Sequence, residues 1–233
     1  MKLNKRYYTW GLGGLLLLAG CSSQEASAVP IVGQSMSDDI TIQMDGRSLL
    51  PQLTKTLKIN YKDGLTIAEV LRNEGQMRLS DDGMHISAVA GTTLDPSLAW
   101  KIQLNGHSVV PEQWKQKLDK KDNLQIELTA VQRNPKDKPQ SARLSVNGGT
   151  LNPGLSRAYI NVFHDSLTVR DILVNSGLVK LNDNNKAVVS VEGYSPRVNE
   201  QWILKVNNKQ LITNGLDMKL QPQDIVEIEL AST

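Results

Sequence analysis

Cysteine is nearly missing from this chain of 233 residues, with Cys21 the single example. That excludes an internal disulfide and removes the thiolate pairs on which most structural zinc sites are built. Histidine is scarce too: His85, His107 and His164 are the whole set, and they do not cluster in the sequence. No G-x-S-x-G elbow, phosphate-binding P-loop or H-E-x-x-H segment occurs, so the common signatures of nucleophilic, nucleotide-dependent and metalloprotease chemistry are lacking. No catalytic residue, metal ligand or cofactor site is therefore assigned. An excess of one charge is also lacking, with 26 basic against 24 acidic side chains. A nearly neutral chain is a poor electrostatic partner for nucleic acid. Finally, the one sustained apolar run, about Tyr7–Leu18, is shorter than the roughly 20 residues needed to span a bilayer.

That run belongs to a secretion signal. Lys2, Lys5 and Arg6 precede it, and it closes on Leu18-Ala19-Gly20-Cys21. This ending resembles a bacterial lipobox, which implies that residues 1–20 are removed and that Cys21 becomes the lipidated N-terminus. Two acyl chains hold a protein stably on a membrane where one is marginal. Processing there would leave 23 basic against 24 acidic groups, a net charge of −1. The expected address is extracytoplasmic, on the cell membrane or outer membrane, with the bilayer contacted through the lipid.

The strongest feature of the rest is a duplication. Thr41–Leu128 reappears without a gap 102 residues later as Arg143–Leu230. Leu65-Thr66 matches Leu167-Thr168, Gly75 matches Gly177, Trp100 matches Trp202, Asn105 matches Asn207, and Asp122 matches Asp224. A unit this long is a duplicated domain, since solenoid repeats run to about 20–50 residues. The expected organisation is a signal (1–20), a flexible tether rich in small polar residues (21–37), a first domain (38–130), a Pro-containing linker (131–140) and a second domain (141–233). Each domain is expected to fold alone.

Two copies give two readings of each element. Ile42-Gln43-Met44 and Leu144-Ser145-Val146 alternate as strands do. A second strand follows over about 56–61 and 158–163. Thr66-x-x-Glu69 forms a capping box ahead of apolar residues at helical spacing, with Thr168-x-x-Asp171 as its weaker counterpart. Gly75 and Gly177 stop those helices. Three more strands come next, with tight turns expected at Asn105-Gly106 and Asn207-Asn208. The order is β-β-α-β-β-β, an α+β arrangement. One conflict stands out. In the second strand, Leu57, Ile59 and Tyr61 share a face, whereas Ile160 and Val162 have the opposite parity. A bulge in one copy is one resolution, because a one-residue slip exchanges the two faces.

The pattern Leu-Thr-[Ile/Val]-x-[Glu/Asp]-[Val/Ile]-Leu, then Trp-x-x-x-[Leu/Val]-Asn, then Asp-x-[Leu/Val]-x-Ile-Glu-Leu occurs in both copies. It resembles the β-grasp (ubiquitin-like) domain found at the C-terminus of transcobalamin and repeated in many bacterial surface proteins. It is also similar in outline to soluble-ligand-binding β-grasp domains. The resemblance implies two tandem β-grasp domains serving as a non-catalytic binding or assembly module, with a receptor for a corrinoid or similar small ligand as the alternative. An uncharacterised envelope enzyme is a third, less supported reading. Asn208 stands where the family has glycine, and Lys121 and Gln223 stand where it has glycine before the last strand.

Within that frame Trp100, Asn105, Trp202 and Asn207 are markers of the repeated scaffold, with both tryptophans expected in the core. Asp81-Asp82 and Asp183-Asn184-Asn185 lack calcium-loop spacing and are expected to be solvated turns. Trp114 has no aromatic counterpart, since Leu216 occupies its place. Together with His107, Lys115 and Lys117 it is the candidate binding surface for an envelope protein or small ligand. Cys21→Ser should move the protein from the membrane fraction to the soluble one. Salt-resistant membrane association of that variant, followed by fractionation and immunoblotting, would overturn the lipid anchor.

Overall fold

A computed structural model describes residues 38–131, 138–184, 186–212 and 215–233. The expected signal and tether, Cys21 included, and the centre of the linker lie outside these residues. Among the described residues no helix is long and apolar enough to cross a membrane.

The first repeat begins with β1 (Ile40–Asp45) and β2 (Thr54–Ile59), paired antiparallel. Ile40, Ile42 and Met44 alternate into the core, as period-two patterning requires. The loop between the strands folds back on Gly46, where a Cβ would lie 2.1 Å from the Leu50 carbonyl oxygen. Gly148 meets the same constraint in the second copy, 2.0 Å from the Asn152 oxygen. Helix α1 (Ile67–Asn73) starts at the expected capping box. The Thr66 amide donates to Glu69 Oε2 at 2.8 Å, and the Glu69 amide donates to Thr66 Oγ1 at 3.3 Å. Short strands β3 (Met77–Leu79), β4 (Ile86–Val89) and β5 (Thr92–Leu94) follow, then β6 (Leu98–Leu104), β7 (His107–Val109) and β8 (Asn123–Ala130). The second repeat runs β9 (Ser141–Asn147), β10 (Ser156–Val162), α2 (Val169–Asn175), β11 (Val179–Leu181), β12 (Val188–Val191), β13 (Glu200–Val206), β14 (Lys209–Gln210) and β15 (Ile225–Ser232). Its shorter Thr168–Asp171 capping box is fully formed.

The architecture is α+β with mixed sheets. In the first repeat the strand order is β2-β1-β8-β6-β7, with β1 and β8 parallel and their neighbours antiparallel. The second repeat repeats it as β10-β9-β15-β13-β14, with β9 and β15 parallel. Strands β3, β5, β7, β11 and β14, each two or three residues long, carry too few residues for a periodic signal to predict them.

The repeated Asn and Asp residues form a clamp. Asn105 Nδ2 donates to Asp122 Oδ1 at 2.7 Å, and the Asn123 amide donates to Asn105 Oδ1 at 2.9 Å. Asn207, Asp224 and Ile225 repeat both bonds at 2.7 and 2.9 Å. Both turn residues Asn105 and Asn207 have positive φ, a conformation asparagine tolerates. Lys121 and Gln223, which replace the glycine of the resembled pattern, keep the left-handed backbone at φ 64° and 69°.

The parity conflict in the second strand has a different origin from a bulge. Tyr159 pairs with Leu144 as Leu57 pairs with Ile42, so the registers are the same. β10 is instead buried on both faces. Tyr159 joins the second repeat's core, whereas Ile160 and Val162 lie in the core of the first. Strands buried on both sides lose polar alternation and read as a continuous apolar run. β10 also pairs in parallel with β5, joining the second sheet to the β3–β5 segment as eight strands. Ser141 Oγ donates to the Leu49 carbonyl at 2.6 Å across the same junction, where the residual gap is only about 60 Å³.

Ile160 is fully buried, so Ile160→Ala should cost about 2–5 kcal/mol in urea unfolding. A change near zero would show that the junction adds nothing to stability. Residues 38–130 and 141–233, prepared separately, should bind one another when mixed, because cutting them apart exposes apolar surface on both. Ile160→Asp should abolish that association in sedimentation velocity, and undiminished association would sink the assignment.

Candidate functional site

The second repeat holds an open cleft of about 400 Å³, within the usual range of about 300–1,000 Å³ for small-molecule sites. Three elements frame it. β13 supplies Trp202 and Leu204, β12 supplies Val188, and the 3-10 turn Gly215–Asp217 supplies Leu216. Leu211 and Pro196 complete the apolar wall, and Lys186, Gln201 and Gln210 provide polar groups. Among the described residues neither a carboxylate nor a histidine lines it.

Trp202 is the central side chain. Its ring meets the Tyr194 ring edge-on, with centroids 6.2 Å apart and planes at 81°, a favoured geometry for aromatic pairs. Tyr194 is itself held, its hydroxyl donating to Glu200 Oε2 at 2.7 Å, and the Arg197 amide donates to the same oxygen at 3.0 Å. The Arg197 amide, then the Tyr194 hydroxyl, hold the Glu200 carboxyl below its ordinary pKa. The same carboxylate, through its hydrogen bond, raises the Tyr194 phenol. Protonation of Glu200 in acid therefore weakens the support behind Trp202.

The first repeat also opens a cleft beside its strand tryptophan, of about 450 Å³. The two share the matching pairs Ile86 and Val188, Leu94 and Pro196, and Trp100 and Trp202. They then extend differently. The first continues toward Pro96, Leu98 and Val131, and the second toward Leu204, Leu211 and Leu216. Trp100 is 8% exposed, in the core as expected, whereas Trp202 is half-buried. The indole N–H groups of Trp100, Trp114 and Trp202 are all shielded without an acceptor, so that property does not distinguish one from another.

Trp114 requires a correction. It is 6% exposed and part of the first repeat's core, so it is no exposed anchor for a partner. The segment carrying it is drawn beneath α1: its carbonyl accepts from the Ala68 amide at 2.9 Å, and Lys117 bridges to Thr66. His107, Lys115 and Lys117 are exposed along the same segment, where Val110 is the exposed apolar residue. His85 and His164 are exposed as well. Asp82 is tied into a turn, accepting from the Met84 amide at 2.8 Å and from the Ser80 hydroxyl at 2.5 Å. Among the described residues no group of three or more His, Cys, Asp or Glu is placed to hold a metal ion; Asn185 lies outside them.

The lining residues Leu204, Leu211, Leu216 and Gln210 are not among the site residues expected from the sequence. The only signal for them was the replacement of Trp114 by Leu216. No protein-family model matches the chain, and no curated protein matches it. Among solved structures it is similar to one described as a "putative metal binding protein" from Ruminococcus gnavus ATCC 29149, with 14% identity and a TM-score of 0.32. That match covers 40% of this chain and 98% of the other.

Proposed function

We propose that the protein is a lipid-anchored, extracytoplasmic, non-catalytic binding module of two β-grasp domains, and that its ligand is a small molecule seated in the Trp202 cleft. The β-grasp reading is supported by the strand order common to both repeats and by the single capped helix in each. The anchor rests on Leu18-Ala19-Gly20-Cys21. The observation that carries the binding reading is the cleft itself, a concave apolar wall with a few polar groups around it, the usual make-up of a small-molecule site. Among the described residues its lining holds no acid–base pair of the kind that hydrolytic or proton-transfer chemistry uses. An assembly surface on the His107–Lys121 segment loses its support with the burial of Trp114.

Native mass spectrometry of the protein extracted gently from its own membranes should find one small molecule per chain. Trp202→Ala should release it. The variant should also unfold earlier, by about 3 kcal/mol, the lower end for aromatic truncation, because the indole is half-exposed. A ligand kept in full by a folded Trp202→Ala protein, or no ligand on the unaltered chain, would overturn the cleft as the binding site.

A further inference from the structure

The duplication supplies its own template for what the cleft holds. Trp114 and Leu216 stand at the same point of the same turn. The Ile67 amide donates to the Gln116 carbonyl at 3.2 Å, as the Val169 amide donates to the Met218 carbonyl at 3.0 Å. The Gln116 amide donates to the Gln113 carbonyl at 2.8 Å, as the Met218 amide donates to the Gly215 carbonyl at 3.1 Å. The Leu118 and Leu220 amides donate to the Leu65 and Leu167 carbonyls, both at 2.8 Å. Three backbone hydrogen bonds are thus common to the two segments, although the 3-10 turn precedes Trp114 in one (Pro111–Gln113) and encloses Leu216 in the other (Gly215–Asp217). The side chain at this point is an indole in one repeat and an isobutyl group in the other. Both side chains are buried, at 6% and 8%, and one neighbouring pair differs between the copies. Ile102 is 2% exposed, while its counterpart Leu204 is half-buried and lines the cleft with Leu211 and Leu216. Ile102 and Val109, the counterparts of Leu204 and Leu211, do not line the first repeat's cleft.

We propose that the second repeat's cleft is a receptor for a planar aromatic acid of about indole size. The ring sits on Leu204, Leu211 and Leu216 beside Trp202, in the place that the first repeat fills with its own Trp114. Apolar walls of this shape reward a flat ring, which buries area with little loss of conformational freedom. Among the described residues Lys186 is the one charged side chain in the lining, so an anionic substituent on the ring is favoured over a cationic one. This inference rests on the cleft being the binding site and adds the class of ligand.

The full chain is titrated with indole-3-acetate, tryptamine, cyclohexane carboxylate and a blocked Ala-Trp-Ala peptide, followed by calorimetry and amide chemical shifts. Indole-3-acetate should bind one to one and more tightly than the other three. Leu216→Trp should weaken it by at least about tenfold, as expected for a filled apolar pocket, while the unfolding midpoint stays level or rises. Trp114→Leu should open a matching seat in the first repeat and raise the stoichiometry to two. Lys186→Glu, which leaves the apolar wall intact, should bring tryptamine level with or ahead of indole-3-acetate. Undiminished binding to a folded Leu216→Trp protein overturns the proposal, as does tighter binding of the peptide or of the non-aromatic acid. If a small molecule accompanies the native chain and leaves with Trp202→Ala, yet indole-3-acetate does not bind, the aromatic class falls and the cleft as binding site stands.

Discussion

Strand β10 is the element on which the described structure depends. It belongs to the second repeat by hydrogen bonding to β9 and by the packing of Tyr159. It belongs equally to the first repeat by pairing with β5 and by the burial of Ile160 and Val162. A small domain buries a limited fraction of its surface and is correspondingly marginal. Sharing one strand between two cores gives each repeat apolar contacts that its own length does not supply. The burial of Leu49 and the exposure of its counterpart Leu151, at 4% and 39%, mark the side of the junction that is covered and the side that is not.

Much of the fold could be read from the residues because the chain states it twice. The capping boxes at Thr66 and Thr168, the stops at Gly75 and Gly177, and the turns at Asn105 and Asn207 are local devices whose chemistry lies within a few residues. Their agreement between copies separated scaffold from accident. The short strands were not legible, since pairing of two or three residues is decided by distant neighbours. The union of the repeats was visible only as an anomaly. Ile160 and Val162 broke the expected alternation because both faces of β10 are buried, and burial on the second face comes from residues far away in sequence.

The site was legible in location class but not in sign. Divergence between copies did point to the segment after the Asn105 and Asn207 turns, and the informative pair was Trp114 and Leu216. Trp114 is the aromatic of the pair, yet it is the smaller Leu216 that lines a cleft. A sequence displays what is present at a position, while an opening is made by what a neighbour fails to fill. Lys121 and Gln223 teach the same lesson for the backbone. Both adopt positive φ that their residue types do not advertise, held there by the Asp122 and Asp224 clamps.

The two outer ends of the paired repeats differ from their inner ones. Lys58 on β2 and Asn60 just beyond its end stand where Ile160 and Val162 stand on β10. At the other end, Pro196 and Glu200 replace Leu94 and Leu98, and Glu200 holds the Arg197 amide, whose counterpart on Asp95 donates to Ile160. A head-to-tail contact that can join one repeat to the next could in principle continue from molecule to molecule into a filament. Here the donor strand has lost its apolar plugs and the acceptor edge is already tied, so the joint that makes the pair is spent within a single chain.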